Sequence, residues 1–291
     1  MMLPTAAAPD RISVSHCLVD AQGRVLSAQQ AERPYYAAST IKLHVLLAAL
    51  RAAEQGRIDL GAQLPATRTF TGADGRPFTL DGDHLDPTHP ADGAPIEVAE
   101  LLRRMIDRSS NEATDQVIEL VGLDAVAAGI AHLGLRATRV ERLIGDASAL
   151  AAGATNETSA ADLAGTLLAT VRGGADPSDG SGLSGPSDPS GPSDASDPQA
   201  PLLPAPASRA LALAALREQR IPVIATALRP GVDHGSKSGW VDGYRHDAAF
   251  VGDPDGPGLR VLAVMTAGLD PSAADARITG LVRELLPEVS A

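Results

Sequence analysis

The sequence predicts an α+β protein with two lobes, a sheet built from both ends of the chain and a helical lobe built from its middle. Three observations carry this. Strand-like runs cluster before residue 30 and after residue 230. Apolar residues at three- and four-residue spacing recur between them. Strands at both ends with helices between imply that the termini pair into one antiparallel sheet while the middle forms the helical lobe. The expected division is 10–48 with 220–291 as the sheet lobe and 49–219 as the helical lobe, together one domain. A cleft between the lobes is the natural place for a site.

Each element has its own signal. Residues 11–19 (RISVSHCLV) and 24–28 (RVLSA) read as a hairpin across DAQG, where Asp20 and Gly23 suit a tight turn. A helix is expected from about Ser39, with Ile41, Leu43, Val45, Leu46, Leu47 and Leu50 spread around nearly its whole circumference, the pattern of a helix buried on most sides. Residues 97–108 (IEVAELLRRMID) place Val98, Leu101, Leu102, Met105 and Ile106 on one face, and helices follow near 112–121 and 123–133. TSAADLAGTLLATV begins another, with Ser159 and Asp162 placed to cap it. From 173 to 206 the chain is dense in Gly, Ser, Pro and Asp, which cannot bury enough apolar surface to offset ordering entropy; a disordered surface insertion is expected. A helix near 207–219, strands near 234–240, 243–252 and 259–267, and a final helix at 271–286 complete the chain.

Composition narrows the function classes. With 291 residues and 44% hydrophobic content the chain can bury a substantial core. A formal net charge of −12 argues against nucleic acid or an anionic membrane surface as partner, and a monomer acting on a small molecule is expected. The single cysteine, Cys17, cannot form an internal disulfide and reads as a small buried hydrophobe. The start, MMLPTAAAPDRISVSH, lacks an export signal, and no run approaches the ~18 apolar residues of a membrane span, so a cytoplasmic protein is expected; a true start further upstream would make it a secreted one. None of the seven histidines falls in a metal-binding pattern, and GxSxG, GxGxxG and P-loop motifs are absent, so no cofactor is expected. LDGDHLDPTHPADG gathers acids with His84 and His89 but lacks the glycine and terminal Glu of a calcium loop; it reads as a cleft-edge loop.

Chemistry enters with YYAASTIKLHVLLAAL. Ser39 and Lys42 lie three apart on a mostly buried helix and so share a face. Burial lowers a lysine pKa, and an amine neutral near pH 7 can take a serine proton, making Ser39 a nucleophile with Lys42 as its activator. The competing reading has Ser39 as an ordinary cap and Lys42 reaching out to water. Two further short patterns shift the balance: DRSSNEATDQ, with Ser109, Ser110 and Asn111 between two helices, and DHGSKSGW, with Lys237, Ser238 and Gly239 entering a strand.

In this order and at these separations, SxxK, SxN and KSG resemble the signature motifs of the serine β-lactamase and penicillin-binding protein superfamily, and most of all of class A β-lactamases, over residues 11 to 287. EQGRIDL, SSNEATDQVIELVG, LREQRIPVIATALRPGVDHGSKSGW and DGYRHDAAFV are also similar to family segments. The resemblance implies a five-stranded antiparallel sheet made by both chain ends, beside an all-helical lobe. It implies an acyl-enzyme on Ser39, formed from a β-lactam, amide or ester, with Lys42 as base or proton relay and Ser109 passing a proton to the leaving nitrogen. Asn111 would hold a substrate amide, Lys237 and Ser238 a substrate carboxylate, and the backbone N–H groups of Ser39 and Trp240, after Gly239, would form the oxyanion hole.

Three departures accompany the likeness. The middle residue of SxN, usually Asp in class A, is Ser110, at a position that supports the turn more than the reaction. The family loop carrying the deacylating Glu corresponds to RVERLIGDASALAAGATNETSAADL, which places Ile144 at the Glu and Ser148 at the following Asn. Of the local acids Glu141, Asp146 and Glu157, Asp146 is the best substitute by position, its alternative being a carboxylate that caps a turn. Class A enzymes also carry a helix ahead of the first strand, and only about ten residues precede it here.

Overall fold

The hairpin at the N-terminus forms where Asp20 and Gly23 predict it, between β1 (Ser13–Asp20) and β2 (Val25–Gln29). The Asp20 carboxylate accepts the N–H groups of Gln22 and Arg24 at 2.9 Å each, and Gly23 supplies the left-handed φ of +77° that closes the turn. The computed structural model describes residues 11–82, 84–172 and 204–291. The first ten residues, and with them the question of a preceding helix, lie outside the described residues, as does the predicted insertion apart from 204–206.

β3 (Tyr35–Tyr36) leads into a 3-10 turn, Ala38–Ile41, that continues as α1 (Lys42–Glu54). The helix expected from Ser39 therefore begins as a tighter turn, and Ser39 is not its cap. Between α1 and the next helix lie four three-residue strands, β4 (Gln63–Pro65), β5 (Thr69–Thr71), β6 (Pro77–Thr79) and β7 (Pro95–Glu97), paired β4 with β7 and β5 with β6. Runs so short carry no readable alternation. The helical lobe follows: α2 (Val98–Asp107), α3 (Asn111–Val121), α4 (Leu123–His132), β8 (Arg139–Val140), α5 (Ala147–Ala151), β9 (Asn156–Thr158) and α6 (Ala160–Val171). Ser159 caps α6 as its spacing predicts, accepting the Asp162 N–H at 3.1 Å.

The C-terminal part comprises α7 (Pro206–Arg217), a 3-10 turn at Ile224–Ala227, β10 (His234–Val241), β11 (Tyr244–Val251), β12 (Arg260–Ala267) and α8 (Pro271–Leu285). The main sheet has the order β10-β11-β12-β1-β2 and is antiparallel throughout, so both chain ends pair into one five-stranded layer. This is the mixed fold the sequence predicts. α6 packs on β1, β11 and β12 as well as on α1, joining the two lobes, while α8 packs on β11. Every residue of α1 from Lys42 to Leu50 is buried, as its all-round apolar pattern requires. Each large apolar side chain so buried contributes roughly 1.5–3 kcal/mol, which fixes the head of α1 at the junction of the lobes.

Candidate active site

Lys42 is fully buried, which removes the reading in which it reaches out to water. Its amine lies among four oxygens: Ser109 O at 2.6 Å, Asn111 Oδ1 at 2.8 Å, Ser39 Oγ at 3.1 Å and Ser109 Oγ at 3.2 Å. The two shortest are acceptor-only oxygens, a carbonyl and an amide oxygen, and each needs an N–H. A neutral amine has two N–H bonds and one lone pair. Spent on those two oxygens, it turns its lone pair toward the hydroxyls of Ser39 and Ser109, which can donate. The electrostatics agree: burial holds the Lys42 pKa well below the ordinary lysine value, the nearby Lys237 charge adds to this, and Asp115 and Glu112 oppose it.

Ser109 occupies the left-handed region at φ +58°, rare for a residue with a side chain. This turns its carbonyl to Lys42 while its hydroxyl lies between two amines, 3.2 Å from Lys42 Nζ and 3.0 Å from Lys237 Nζ. Ser110 caps α3, accepting the Ala113 N–H at 3.1 Å and donating to buried Glu112 at 3.0 Å; it supports the turn, as expected. Asn111 bridges the walls, with Oδ1 on Lys42 and Nδ2 donating to His84 O at 3.2 Å. The 81–94 loop is thus pinned to α3, also through Asp86 N–H on Glu112 at 3.0 Å. Among the described residues no group of three or more His, Cys, Asp or Glu could hold a metal ion.

The opposite wall is β10. Lys237 is fully buried and donates to Ser238 O at 2.6 Å; burial lowers its pKa to about 7, with Asp247 opposing. Gly239 allows the strand to run against the nucleophile, because a Cβ there would lie 2.8 Å from the backbone nitrogens of both Ser39 and Thr40. Beneath that segment His246 holds the chain: its Nδ1 accepts the Thr266 N–H at 3.2 Å, which leaves Nε2–H to donate to Tyr36 O at 2.9 Å. The Ser238 hydroxyl donates to Ile221 O at 2.6 Å, so its proton is committed to the strand's outer neighbour.

The profile of the Beta-lactamase enzyme family matches residues 5–179 and 202–287. The chain belongs to this family. A β-lactamase from Sphaerobacter thermophilus superposes with a TM-score of 0.71 at 25% identity, over 95% of this chain and 91% of that one. A β-lactamase from Xanthomonas campestris gives 0.70 at 22%, over 95% and 91%. A PBP-A variant, solved as its acyl-enzyme complex with penicillin G, gives 0.69 at 21%, over 96% and 92%. No curated protein matches the sequence. The fold is that of class A β-lactamases, and the chain is a β-lactamase-like serine hydrolase.

Within that family the 139–156 loop decides how far the likeness extends. Asp146, the best substitute for the missing acid by position, is engaged as a cap. It caps α5 through the Ala149 N–H at 3.0 Å and accepts Ser148 Oγ–H at 2.6 Å and the Ala73 N–H at 2.9 Å. Burial works against its charge, but these donors hold its pKa below the ordinary carboxylate value. Ile144 instead gives its N–H to Asp115 Oδ1 at 2.8 Å. Asp115 was not singled out from the sequence, though it lies one turn beyond Asn111 on α3 and so on the same face. It is fully buried, its Oδ2 has no hydrogen-bond partner among the described residues, and burial raises its pKa well above the ordinary value against the pull of the Ile144 N–H and Lys42. Asn156 fixes the loop's other end, taking the N–H groups of Glu141 and Arg142 and donating to Arg142 O at 3.1 Å.

Proposed function

We propose that the chain forms an acyl-enzyme on Ser39 from a β-lactam or a related amide or ester and hydrolyses it. The placing of the buried Lys42 amine 3.1 Å from Ser39 Oγ, with Ser109 O at 2.6 Å and Asn111 Oδ1 at 2.8 Å, is the observation that carries this reading: in its neutral form two N–H bonds would meet the last two oxygens and a lone pair would be left for the Ser39 hydroxyl. In acylation the Ser39 Oγ–carbon bond forms as Lys42 takes the serine proton. The carbon–nitrogen bond of the donor then breaks, and the proton passes from Lys42 through Ser109 Oγ to the leaving nitrogen. The N–H groups of Ser39 and Trp240 would receive the developing oxyanion; one such donor is typically worth about 2.7–4 kcal/mol. Lys237 would meet a carboxylate on the donor. In deacylation Lys42 takes a proton from water as its oxygen attacks the ester carbon, then returns it to Ser39 Oγ as that bond breaks.

A second reading, a transacylase or peptidase on a non-lactam donor, is favoured by Ile144 standing at the loop position of the family's deacylating Glu. Incubation with a chromogenic cephalosporin and a fluorescent penicillin, recording turnover and intact mass together, separates the two. Steady turnover supports the hydrolase; a stable adduct lost in Ser39→Ala supports acyl transfer to another acceptor. The absence of any adduct, with lactams or activated esters, would refute acyl-serine chemistry and leave a binding protein on the same scaffold.

A further inference from the structure

A run of buried hydrogen bonds ends on the helix that carries Lys42 and takes no part in the proton transfers. It starts at Asp162 on α6, whose Oδ2 accepts the Ala137 N–H at 2.9 Å and the Thr138 hydroxyl at 2.7 Å. A carboxylate only accepts, so the Thr138 proton is committed to it. Thr138 Oγ1 must then accept from the Thr158 hydroxyl at 2.8 Å, and Thr158 in turn from His44 Nε2–H at 3.1 Å. That fixes the tautomer of His44: Nδ1 carries no proton and accepts the Thr166 hydroxyl at 3.0 Å. All five residues are buried, and burial pushes the His44 pKa down to about 3, so the ring stays neutral near pH 7.

We propose that His44 is a positioning residue that keeps the Ser39–Lys42 segment in its acylating geometry by tying the far end of that segment to β9, a reading that rests on the acyl-serine chemistry above. At the near end β3 pairs with β9, Tyr35 against Thr158, and the Ala37 N–H bonds Asn156 O at 2.9 Å. At the far end His44 Nε2–H bonds the hydroxyl of the same Thr158. Ser39 and Lys42 thus sit on a segment, 37–44, fastened at both ends to one short strand, and Thr166 fastens its far end to α6 as well. His44 lies two positions after Lys42 on α1, so the two side chains leave different faces of the helix. Both ring nitrogens are engaged by threonines, so His44 acts on the reaction only through where it holds Lys42, whose amine must stay within reach of Ser39 Oγ, 3.1 Å away.

The saturating rate of acylation by a chromogenic cephalosporin and its half-saturating concentration, with intact mass recorded, are measured for wild type, His44→Leu, His44→Gln, Thr158→Val and the double variant His44→Leu with Thr158→Val. A misplacement of 1 Å can cost about 100-fold, so release of one end of the segment by a few tenths of an ångström lowers the saturating rate of His44→Leu by roughly 5- to 30-fold, with the half-saturating concentration moving less than about twofold. His44→Gln, whose amide can still donate to Thr158 and accept from Thr166, recovers most of the loss. The double variant is no slower than His44→Leu alone, because both changes break the same bond. Val282→Ala is the control: it opens a cavity in the separate apolar cluster between α8 and the sheet, costs stability and leaves the rate unchanged. If His44→Leu forms the adduct within about twofold of the wild-type rate, or slows no more than Val282→Ala does, the positioning role is overturned and the acyl-serine reading stands; no adduct in wild type with any donor overturns both. Nitrogen NMR of the His44 ring is a readout independent of the chemistry: a proton on Nε2 alone is expected, and one on Nδ1 would refute the hydrogen-bond order.

Discussion

Adding one methyl group at Gly239 tests the placement of the nucleophile more sharply than removing any catalytic group. A Cβ there would lie 2.8 Å from Ser39 N, 2.8 Å from Thr40 N and 3.2 Å from Ala37 O, all backbone atoms, where ordinary contact begins at 3.4 Å. Something must retreat by about 0.6 Å. β10 is held across its length by β11, with Gly239 opposite His246. The turn that bears Ser39 is held by Ala37 N–H on Asn156 O at 2.9 Å and Thr40 Oγ1–H on Ala37 O at 2.6 Å. Neither side yields freely, so Gly239→Ala should cost about 1–3 kcal/mol of stability, the usual range for overpacking. A misplacement of 1 Å can cost about 100-fold in rate, so 0.6 Å corresponds to roughly 10- to 30-fold in acylation. Urea unfolding and single-turnover acylation by a chromogenic cephalosporin measure the two effects. Gly280→Ala is the control: it lies in α8 with open space around it, and the helix gains up to about 1 kcal/mol. If Gly239→Ala acylated within twofold of wild type at unchanged stability, the strand could not be lying against Ser39 as described.

Two other expectations depend on buried charge. Lys237, at a pKa of about 7, loses its positive charge as pH rises through 7. Acylation by a donor carrying a carboxylate should therefore weaken above that pH relative to a neutral ester, and Lys237→Gln should remove the difference; parallel profiles for both donors would refute the role. For Asp115 the folded pKa is raised, so the folded state holds its proton more tightly than the unfolded chain does. That stabilisation is complete below about pH 4 and is lost as pH rises toward the folded value. Asp115→Asn keeps an oxygen for the Ile144 N–H and removes the titration, so its melting temperature should exceed wild type at pH 8 and match it near pH 4; a variant less stable at pH 8 would contradict this.

What could be read from the sequence divides by the range of the interaction. The end-to-end sheet, α1, α2 and the cap of α6 follow from local periodicity and capping chemistry, and Ser39, Lys42, Ser109, Asn111, Lys237 and Gly239 converge because three short motifs carried them. The Ser109 backbone at φ +58°, the His246 bond beneath Tyr36 and the His84–Trp240 contact join residues far apart in the chain or depend on conformation, and no local pattern announces them. Asp146 shows how one position can carry two readings. Its sequence position suggested chemistry, but an Asp two residues before Ser148 at the head of a short helix also satisfies a cap, and Ala73 from a distant hairpin supplied the deciding third donor.

The remaining loop acids are committed in the same way, and this constrains the reaction. Glu141 accepts the Thr155 N–H at 2.9 Å, and Glu157 takes Arg139 at 2.7 Å. With Asp146 holding α5 and Ile144 apolar, each carboxylate of the loop is engaged in holding the loop's own shape. Asp115 takes the Ile144 N–H, so the loop is also anchored to α3. On the proposed chemistry the base that activates Ser39 must then also activate water, and Lys42 serves both half-reactions. A single base links the two rates: whatever lowers the population of neutral Lys42 slows acylation and deacylation together. Both steps should therefore share one acidic limb in their pH profiles, whereas a separate loop acid would give deacylation a limb of its own.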